Sequence, residues 1–151
     1  MKKPGIDKAY FVDSLGGPEI LSESVSRADY VSLHTPLTEE TKNMIGAKEL
    51  ALMKKSAYLV NVARAAIGDR EALYTALSNS KIIGVAFDVF WEEPPDPYDK
   101  LLKLNNFVLT PHIAGWTADS VDAIARIIAT NIERFAQGEI PLTIVNPELT
   151  Y

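Results

Sequence analysis

The sequence predicts an α/β fold, a doubly wound and mainly parallel sheet that is followed by a long C-terminal helix. Short runs of β-branched and aromatic residues alternate along the chain with longer amphipathic segments, which is the pattern of parallel strands joined by helical crossovers. Several of the short runs stop at turn signals such as His-Thr-Pro and Thr-Pro. In such sheets ligands bind beyond the carboxyl ends of the strands, so the loops after the strands are where functional residues are expected.

The first predicted elements are a strand, a helix and a second strand. Residues 9–12 form a short apolar run that predicts a strand. Pro18 suits the first turn of a helix over residues 18–27, in which the apolar side chains recur on one face. Tyr30–Leu33 predicts the next strand, which ends near Thr35 because a residue before proline is pushed toward an extended conformation.

The same alternation continues through the middle of the chain. Residues 47–53 predict a short helix and Tyr58–Asn61 a buried strand. Asp69 is placed as the N-cap of a helix that runs to about residue 79. Residues 82–87 then predict a further strand, so this segment is expected to add two strands to the sheet.

The C-terminal part predicts one more strand and a long helix. Phe107–Leu109 is a β-rich run that stops at Thr110-Pro111. Residues 118–137 have helical periodicity, and Gly138 is placed as the residue that ends the helix. The apolar stripe of this helix is expected to comprise Val121, Ile124, Ile128, Ile132 and Phe135.

Composition and charge exclude several classes of function. The net charge is −5 and no basic run is longer than Lys54-Lys55, so nucleic-acid binding is not expected. Cysteine is absent, and His34 and His112 lack the partners that a metal site needs, so no metal is expected. The sequence shows neither a signal peptide nor a spanning segment, which predicts a soluble, cytoplasmic protein without a membrane partner.

Arg64 is the first candidate functional residue, because it follows a predicted buried strand and has alanine on both sides. An unpaired charge in an apolar setting is costly, so this arginine should have a partner. One interpretation is a planar, bidentate grip on a substrate carboxylate or carbonyl. The other is a structural salt bridge that joins two loops.

His112 is the second candidate, since it lies between the last strand and the long helix. Imidazole is suited to moving a proton near neutral pH, although a lone histidine can also be purely structural. Glu92 and Glu93 precede two prolines and could belong to a solvated loop. A carboxylate bonded to the imidazole would instead fix its tautomer and favour its protonated form.

Two further polar residues follow strands and allow two interpretations each. Asp88 could accept a hydrogen bond from a ligand amide, or it could cap the following turn. His34 is interpreted as a structural loop residue or as a wall of a cofactor pocket rather than a catalyst.

A family resemblance is carried by motifs that occur in a fixed order. They are residues 28–41 (ADYVSLHTPLTEET), 52–54 (LMK), 61–64 (NVAR), 86–90 (AFDVF), 93–94 (EP) and 110–115 (TPHIAG). In order and spacing they resemble the D-isomer-specific 2-hydroxyacid dehydrogenases, which include phosphoglycerate, glycerate/glyoxylate and D-lactate dehydrogenases. The resemblance extends from about residue 9 to residue 147 and implies a partial Rossmann-like domain.

The resemblance implies a catalytic triad of Arg64, Glu93 and His112. The arginine would bind the carboxylate and polarise the carbonyl of a small 2-oxo acid. The histidine would be the general acid and base, and Glu93, rather than Glu92, would hold it protonated for reduction. Hydride would pass between C2 of the 2-hydroxy or 2-oxo acid and the nicotinamide of NAD, with NADP not excluded. The family also implies a homodimer.

The same resemblance implies which residues contact the cofactor. They would line its nicotinamide and ribose side, and they are Thr35, Pro36, Val62, Ala63, Arg64, Asp88, His112, Ala114 and Gly115.

Two departures from the family pattern shape the expected organisation. Ala65 stands where the family usually has glycine, and no Gly-x-Gly-x-x-Gly motif occurs in the chain. We therefore expect residues 1–117 to be the later part of an NAD-binding domain. Residues 118–151 are expected to be a crossover helix and tail that would pack on a substrate domain.

From this organisation we expect the chain to be a C-terminal fragment that is inactive by itself, with exposed apolar surface and a tendency to self-associate. An alternative function is a non-catalytic binding or dimerisation module that retains the dehydrogenase fold, although such a role requires none of Arg64, Glu93 and His112. A flavodoxin-like or receiver-like protein is the third interpretation, and the short Asp13-Ser-Leu-Gly run supports it only weakly.

Overall fold

The computed structural model describes residues 13–146, which form two compact units. The first unit ends at His112 and the second begins at Ile113. The strand predicted over residues 9–12 lies outside the described residues.

The first unit contains a four-stranded sheet in which every neighbouring pair of strands is parallel. The strands are β1 Tyr30–Leu33, β2 Tyr58–Asn61, β3 Gly84–Phe87 and β4 Phe107–Leu109, and their order in the sheet is the order of the chain. The predicted α/β class with a parallel sheet is confirmed. Three strands have the predicted bounds, while β3 begins two residues later than predicted.

The late start of β3 has a simple cause. Ile82 is fully buried, so it belongs to the apolar run. The paired residues of β2 and β3 begin only at Tyr58 with Gly84, after the single bond from the Ile83 N–H to the Ala57 carbonyl. An apolar run reports burial, whereas a strand also requires a ladder of hydrogen bonds.

The helices of the first unit are α1 Leu21–Arg27, α2 Ala47–Leu52 and α3 Arg70–Ser78, with a 3₁₀ turn over Pro18–Ile20 leading into α1. They lie where the apolar periodicity placed them, within one residue at each end for α2 and α3, while α1 begins three residues later than predicted. The predicted cap of α3 is confirmed, because the Asp69 side chain accepts the Ala72 N–H at 2.8 Å. A second 3₁₀ turn, Ala65–Ile67, was not predicted.

The core lies between the helices and one face of the sheet. Alternation along the strands turns Leu59, Val85 and Phe87 toward it, and α1–α3 contribute Val25, Leu50 and Leu73 among others to the same cluster. The opposite face carries Tyr30, Tyr58 and Val108, which are exposed. Among the described residues of the first unit, helices therefore cover one face of the sheet and leave the other exposed.

The second unit is built on α4, Ala118–Ala136. Thr117 caps it by accepting the Ser120 N–H at 3.1 Å, and Gly138 follows its end with φ +74°, as predicted for a terminating glycine. The five residues of the predicted apolar stripe are between 51% and 75% exposed, so the expected exposure of this surface is confirmed. Within residues 13–146, no helix is both long and apolar enough to span a membrane.

Candidate active site

The loops after the four parallel strands leave the sheet at one edge, because the strands all run in the same direction. Two backbone bonds hold this edge together. The Asp88 N–H donates to the carbonyl of Asn61 at 3.0 Å, and the Thr110 N–H donates to the carbonyl of Phe87 at 2.9 Å. These two bonds therefore fix the starts of the loops after β2, β3 and β4 relative to one another.

Glu93 and His112 form a hydrogen-bonded pair at this edge. The His112 Nδ1 lies 2.7 Å from Glu93 Oε2, and the other carboxylate oxygen, Oε1, accepts the Phe90 N–H at 2.8 Å. The Glu93 side chain is 39% exposed and the His112 side chain 48%, so the pair is open to a ligand. The structure thus brings together two residues that are 19 positions apart in the chain.

The environment of Glu93 favours its ionised form. The hydrogen bond from His112 lowers the pKa of this carboxyl group most, and the bond from the Phe90 N–H lowers it further. The positive charge of Arg64, and that of His112 when it is protonated, act in the same direction. A carboxylate held charged beside Nδ1 fixes that nitrogen as the one that carries a proton.

His112 has an unusual backbone conformation, with φ +55°. Few non-glycine residues adopt this left-handed region, and those that do cluster at functional sites. Its N–H donates to the carbonyl of Thr110 at 2.9 Å, which supports the turn. Within residues 13–146, the second ring nitrogen, Nε2, has no hydrogen-bond partner, so it is available to a ligand.

Arg64 lies in the loop after β2. Its backbone is held by Asn61, which is fully buried, donates to the Arg64 carbonyl at 2.9 Å and accepts the Ala63 N–H at 3.0 Å. The Arg64 side chain is exposed in spite of its apolar neighbours in sequence, and one guanidinium nitrogen donates to the Ala63 carbonyl at 2.7 Å. In the described part of the chain it forms no ion pair. The structural salt bridge is therefore not seen, and an exposed, positively charged guanidinium is left at the edge.

Asp88 is 5% exposed and accepts a hydrogen bond from the Thr110 hydroxyl. Its carboxylate therefore links the ends of β3 and β4. A buried carboxylate needs such donors, and Thr110 is one that the sequence did not single out. His34, in the exposed loop after β1, bonds through Nε2 to the Ser32 hydroxyl at 2.7 Å.

The remaining predicted cofactor residues fall into two places. Thr35, Pro36 and Val62 are exposed in the loops after β1 and β2, and Ala63 beside them is half-buried. Ala114 and Gly115 belong to the second unit, where both are exposed. The structure therefore groups Arg64, Asp88, Glu93 and His112 within the first unit.

Ala65 is accommodated without strain. It is 4% exposed at the start of the 3₁₀ turn, and its φ is not positive. A glycine is therefore not required at this position by the backbone.

Sequence reasoning assigned no role to two residues that support the site. Asn61 has a visible signal, since it is a polar residue at the end of an otherwise apolar strand. Phe90 acts through its backbone N–H, which every non-proline residue carries, so its identity in the sequence offers no signal.

A family model described as D-isomer specific 2-hydroxyacid dehydrogenase, NAD binding domain, matches residues 11–114. The chain belongs to this family. The match covers β1–β4, Arg64, Glu93 and His112, so the family resemblance seen in the sequence motifs is confirmed and so is the class of cofactor.

Individual relatives agree with this assignment. A glyoxylate reductase of Korarchaeum cryptofilum is 46% identical over 129 residues, which are 85% of this chain and 39% of that protein. The NAD complex of a D-isomer specific 2-hydroxyacid dehydrogenase from Lactobacillus delbrueckii has a TM-score of 0.74 and 39% identity, over 83% of this chain and 42% of that one. A family member from Xanthobacter autotrophicus, in complex with NADPH and MES, has a TM-score of 0.73 and 33% identity, over 86% of this chain and 53% of that one. The chain spans about two-fifths of the length of the curated relatives that it matches first.

Proposed function

We propose that this chain supplies the acid–base and substrate-binding residues of an NAD-dependent reduction of a small 2-oxo acid, and of the reverse oxidation of a D-2-hydroxy acid. The observation that carries the proposal is the hydrogen bond between Glu93 and His112, which holds Nδ1 while Nε2 is available to a ligand. Family membership and the glyoxylate reductase relative support the reaction class and a short 2-oxo acid as substrate.

The proton is carried by His112 in this proposal. Protonated His112 donates from Nε2 to the oxygen that develops negative charge on the substrate carbonyl, and it recovers the proton in the oxidation direction. Glu93 is held ionised and stabilises the imidazolium that this role requires. The nicotinamide, when bound, supplies or accepts the hydride at C2 of the substrate.

Arg64 binds the substrate carboxylate. Its exposed guanidinium has no carboxylate partner among residues 13–146, and its planar fork matches a carboxylate through two parallel hydrogen bonds. The protein has a net charge of −5, so an anionic substrate depends on this local charge for recognition.

The residues present fit the nicotinamide side of a dinucleotide. Val62 is 37% exposed in the loop after β2 and offers an apolar surface to a ring. Asp88 and His112 at the same edge offer polar partners to an amide and a ribose. We propose that Thr35, Pro36, Ala63, Ala114 and Gly115 complete this set. NAD and NADPH are both found in solved relatives, and NAD is proposed here.

We also propose a structural role for each of two segments of the chain. Residues 1–117 would form the later part of the NAD-binding domain, and residues 118–151 a crossover helix and tail. The exposed stripe of α4 supports this role, because an apolar helix face is stabilised only when another element covers it.

The test is NADH binding to the chain, followed by nicotinamide fluorescence and tryptophan quenching, with His112→Ala as the variant. We expect saturable binding by the wild-type chain and weaker binding by the variant. A chain that is folded by circular dichroism, yet binds no NADH at millimolar concentration, would overturn the proposal for this chain.

A non-catalytic dimerisation module is the second candidate, and the exposed α4 stripe favours it. A homodimer is compatible with both functions. The NADH titration distinguishes the two candidate functions, because an assembly module needs neither the cofactor nor the Glu93–His112 pair.

A further inference from the structure

Arg70, the first residue of α3, is held in place by a buried acid. Its guanidinium pairs with the carboxylate of Asp99, whose side chain is only 3% exposed. Asp99 is itself anchored, because its Oδ1 accepts the Leu101 N–H at 2.8 Å. The Arg70 side chain is 32% exposed, but a carboxylate that is buried and bonded in this way gives its guanidinium partner a defined position.

The same guanidinium contacts two aromatic rings. Its central carbon lies 5.6 Å from the centre of the Phe90 ring and 5.8 Å from that of Trp91. A cation at this distance from a ring is attracted to it. Phe90 and Trp91 also contact each other edge to face, with centroids 5.4 Å apart. Arg70 and the two rings therefore form one packed cluster.

Phe90 connects this cluster to the acid–base pair. Its ring is buried and its backbone N–H donates to Glu93 Oε1 at 2.8 Å, while Glu93 Oε2 binds His112. Residues 88–98 form neither helix nor strand, so beyond the backbone bond of Asp88 to Asn61 the position of this loop depends on side-chain contacts. These include the contacts of Phe90 with Phe107 and of Trp91 with Phe87. Arg70 supplies such contacts from α3, which is a rigid element.

We propose that Arg70 is a positioning residue for the Glu93–His112 pair. By packing on Phe90 and Trp91 it fixes the loop in which the Phe90 N–H can bind Glu93, and so aims the Glu93 carboxylate at His112 Nδ1. The proposal rests on the proposed function only for the use that the pair serves. The effect of Arg70 on the position of the pair is a property of the chain alone.

The bond from Phe90 provides the measurement, because it is one of the causes that lower the pKa of Glu93. The amide proton of Phe90 donates to a group that titrates, so its NMR shift should follow the protonation of Glu93 as the pH is lowered. The wild-type chain should show this dependence. Replacing a residue that has only a general structural role would leave this pH dependence unchanged.

The variants are Arg70→Ala and Arg70→Gln, with Lys100→Ala as the matched control. Lys100 also combines an ion pair, to Glu71 at 2.6 Å, with a cation–π contact, to Tyr74 at 4.3 Å, and neither of these reaches the Glu93 loop. Both Arg70 variants should lose most of the pH-dependent shift of the Phe90 amide, and the pKa of Glu93 should rise toward its ordinary value. Lys100→Ala should keep both properties.

The outcome is decisive in either direction. Folded Arg70 variants that retain the wild-type Phe90 titration would overturn the proposal, and so would a loss of equal size in Lys100→Ala. If Arg70→Ala does not fold, Arg70→Gln decides, because it keeps a side chain of similar length that can bond to Asp99. Failure of NADH binding would instead refute the proposed function, since the NMR titration needs neither cofactor nor substrate.

Discussion

At the residue scale, the pairing of Glu93 with His112 depends on exact placement. The two acids before the prolines are chemically alike, and only Glu93 reaches the imidazole. Glu93 also accepts the Phe90 N–H with its second oxygen, so both oxygens of its carboxylate form hydrogen bonds. Neighbouring carboxylates with the same chemistry can therefore have different roles, which are set by contacts.

The lowered pKa of Glu93 predicts how stability depends on pH. A carboxyl group whose pKa is depressed in the folded state adds stability that is complete above its unfolded pKa, near 4.5, and is lost as the pH falls through the lower folded value. In Glu93→Gln this contribution is absent. The difference in melting temperature between wild type and Glu93→Gln should be largest near neutral pH and should vanish in acid.

Glu92→Gln is the control for this measurement, because Glu92 is exposed and lies beside Glu93 in the same loop. Its melting curves should follow those of the wild type at every pH. Equal behaviour of the two variants would show that the Glu93 carboxylate gains nothing from His112 and Phe90.

At the scale of elements, α3 has two tasks. It covers the sheet with Leu73 and Leu77, which are buried, and it presents Arg70 to the loop that holds Glu93. Its start is fixed by Asp69, whose side chain satisfies one of the free N–H groups of the first turn. The cap therefore sets where Arg70 stands.

Asp69→Ala should destabilise the protein by about 1 kcal/mol, the usual cost of removing an N-cap side chain. Urea unfolding followed by circular dichroism measures it. Glu71→Ala lies in the same turn and removes only an exposed ion pair with Lys100, so its effect should stay below about 0.5 kcal/mol. Equal losses in the two variants would contradict the capping role.

At the scale of the whole molecule, each unit exposes apolar side chains. They are the α4 stripe in the second unit and, separately, Tyr30 and Val108 on the sheet face of the first. Exposed apolar patches mark places where another chain or segment packs. Family relatives are more than twice as long as this chain.

We expect the chain to self-associate in a concentration-dependent manner, as seen by light scattering, and to bind a hydrophobic dye. Replacing Ile124 and Ile132 together by lysine should reduce both, because each side chain is more than half exposed on the α4 stripe. Ala129→Lys, on the side of α4 that also carries Asp122 and Arg126, is the control. A monomeric, dye-silent wild type would refute the expectation.

Local pattern was enough to predict most of the fold. Apolar periodicity placed α1–α3, and β1, β2 and β4 have the predicted bounds. These signals depend only on neighbours a few residues apart. The start of β3 was wrong, because Ile82 is buried before the ladder begins, and pairing with a distant strand cannot be read from an apolar run.

The candidate site divides in a similar way. Motifs brought Arg64, Glu93 and His112 forward as candidates, because their residue types suit carboxylate binding and proton transfer. Their roles stay predictions. The sequence left open whether Arg64 forms a structural salt bridge. Only the structure shows that it is exposed and forms no ion pair within residues 13–146, since alanine neighbours in sequence do not determine which way a side chain faces.

The sequence by itself determined the α/β class, the family and the residue types available for chemistry, because these follow from periodicity and from short motifs in order. Only the tertiary structure decided that Glu93 bonds to Nδ1 of His112, that Asn61 holds the Arg64 loop, and that Arg70 packs on Phe90. Each of these contacts depends on the path of the backbone between elements. That path is set by the packing of the whole core, which no local pattern contains.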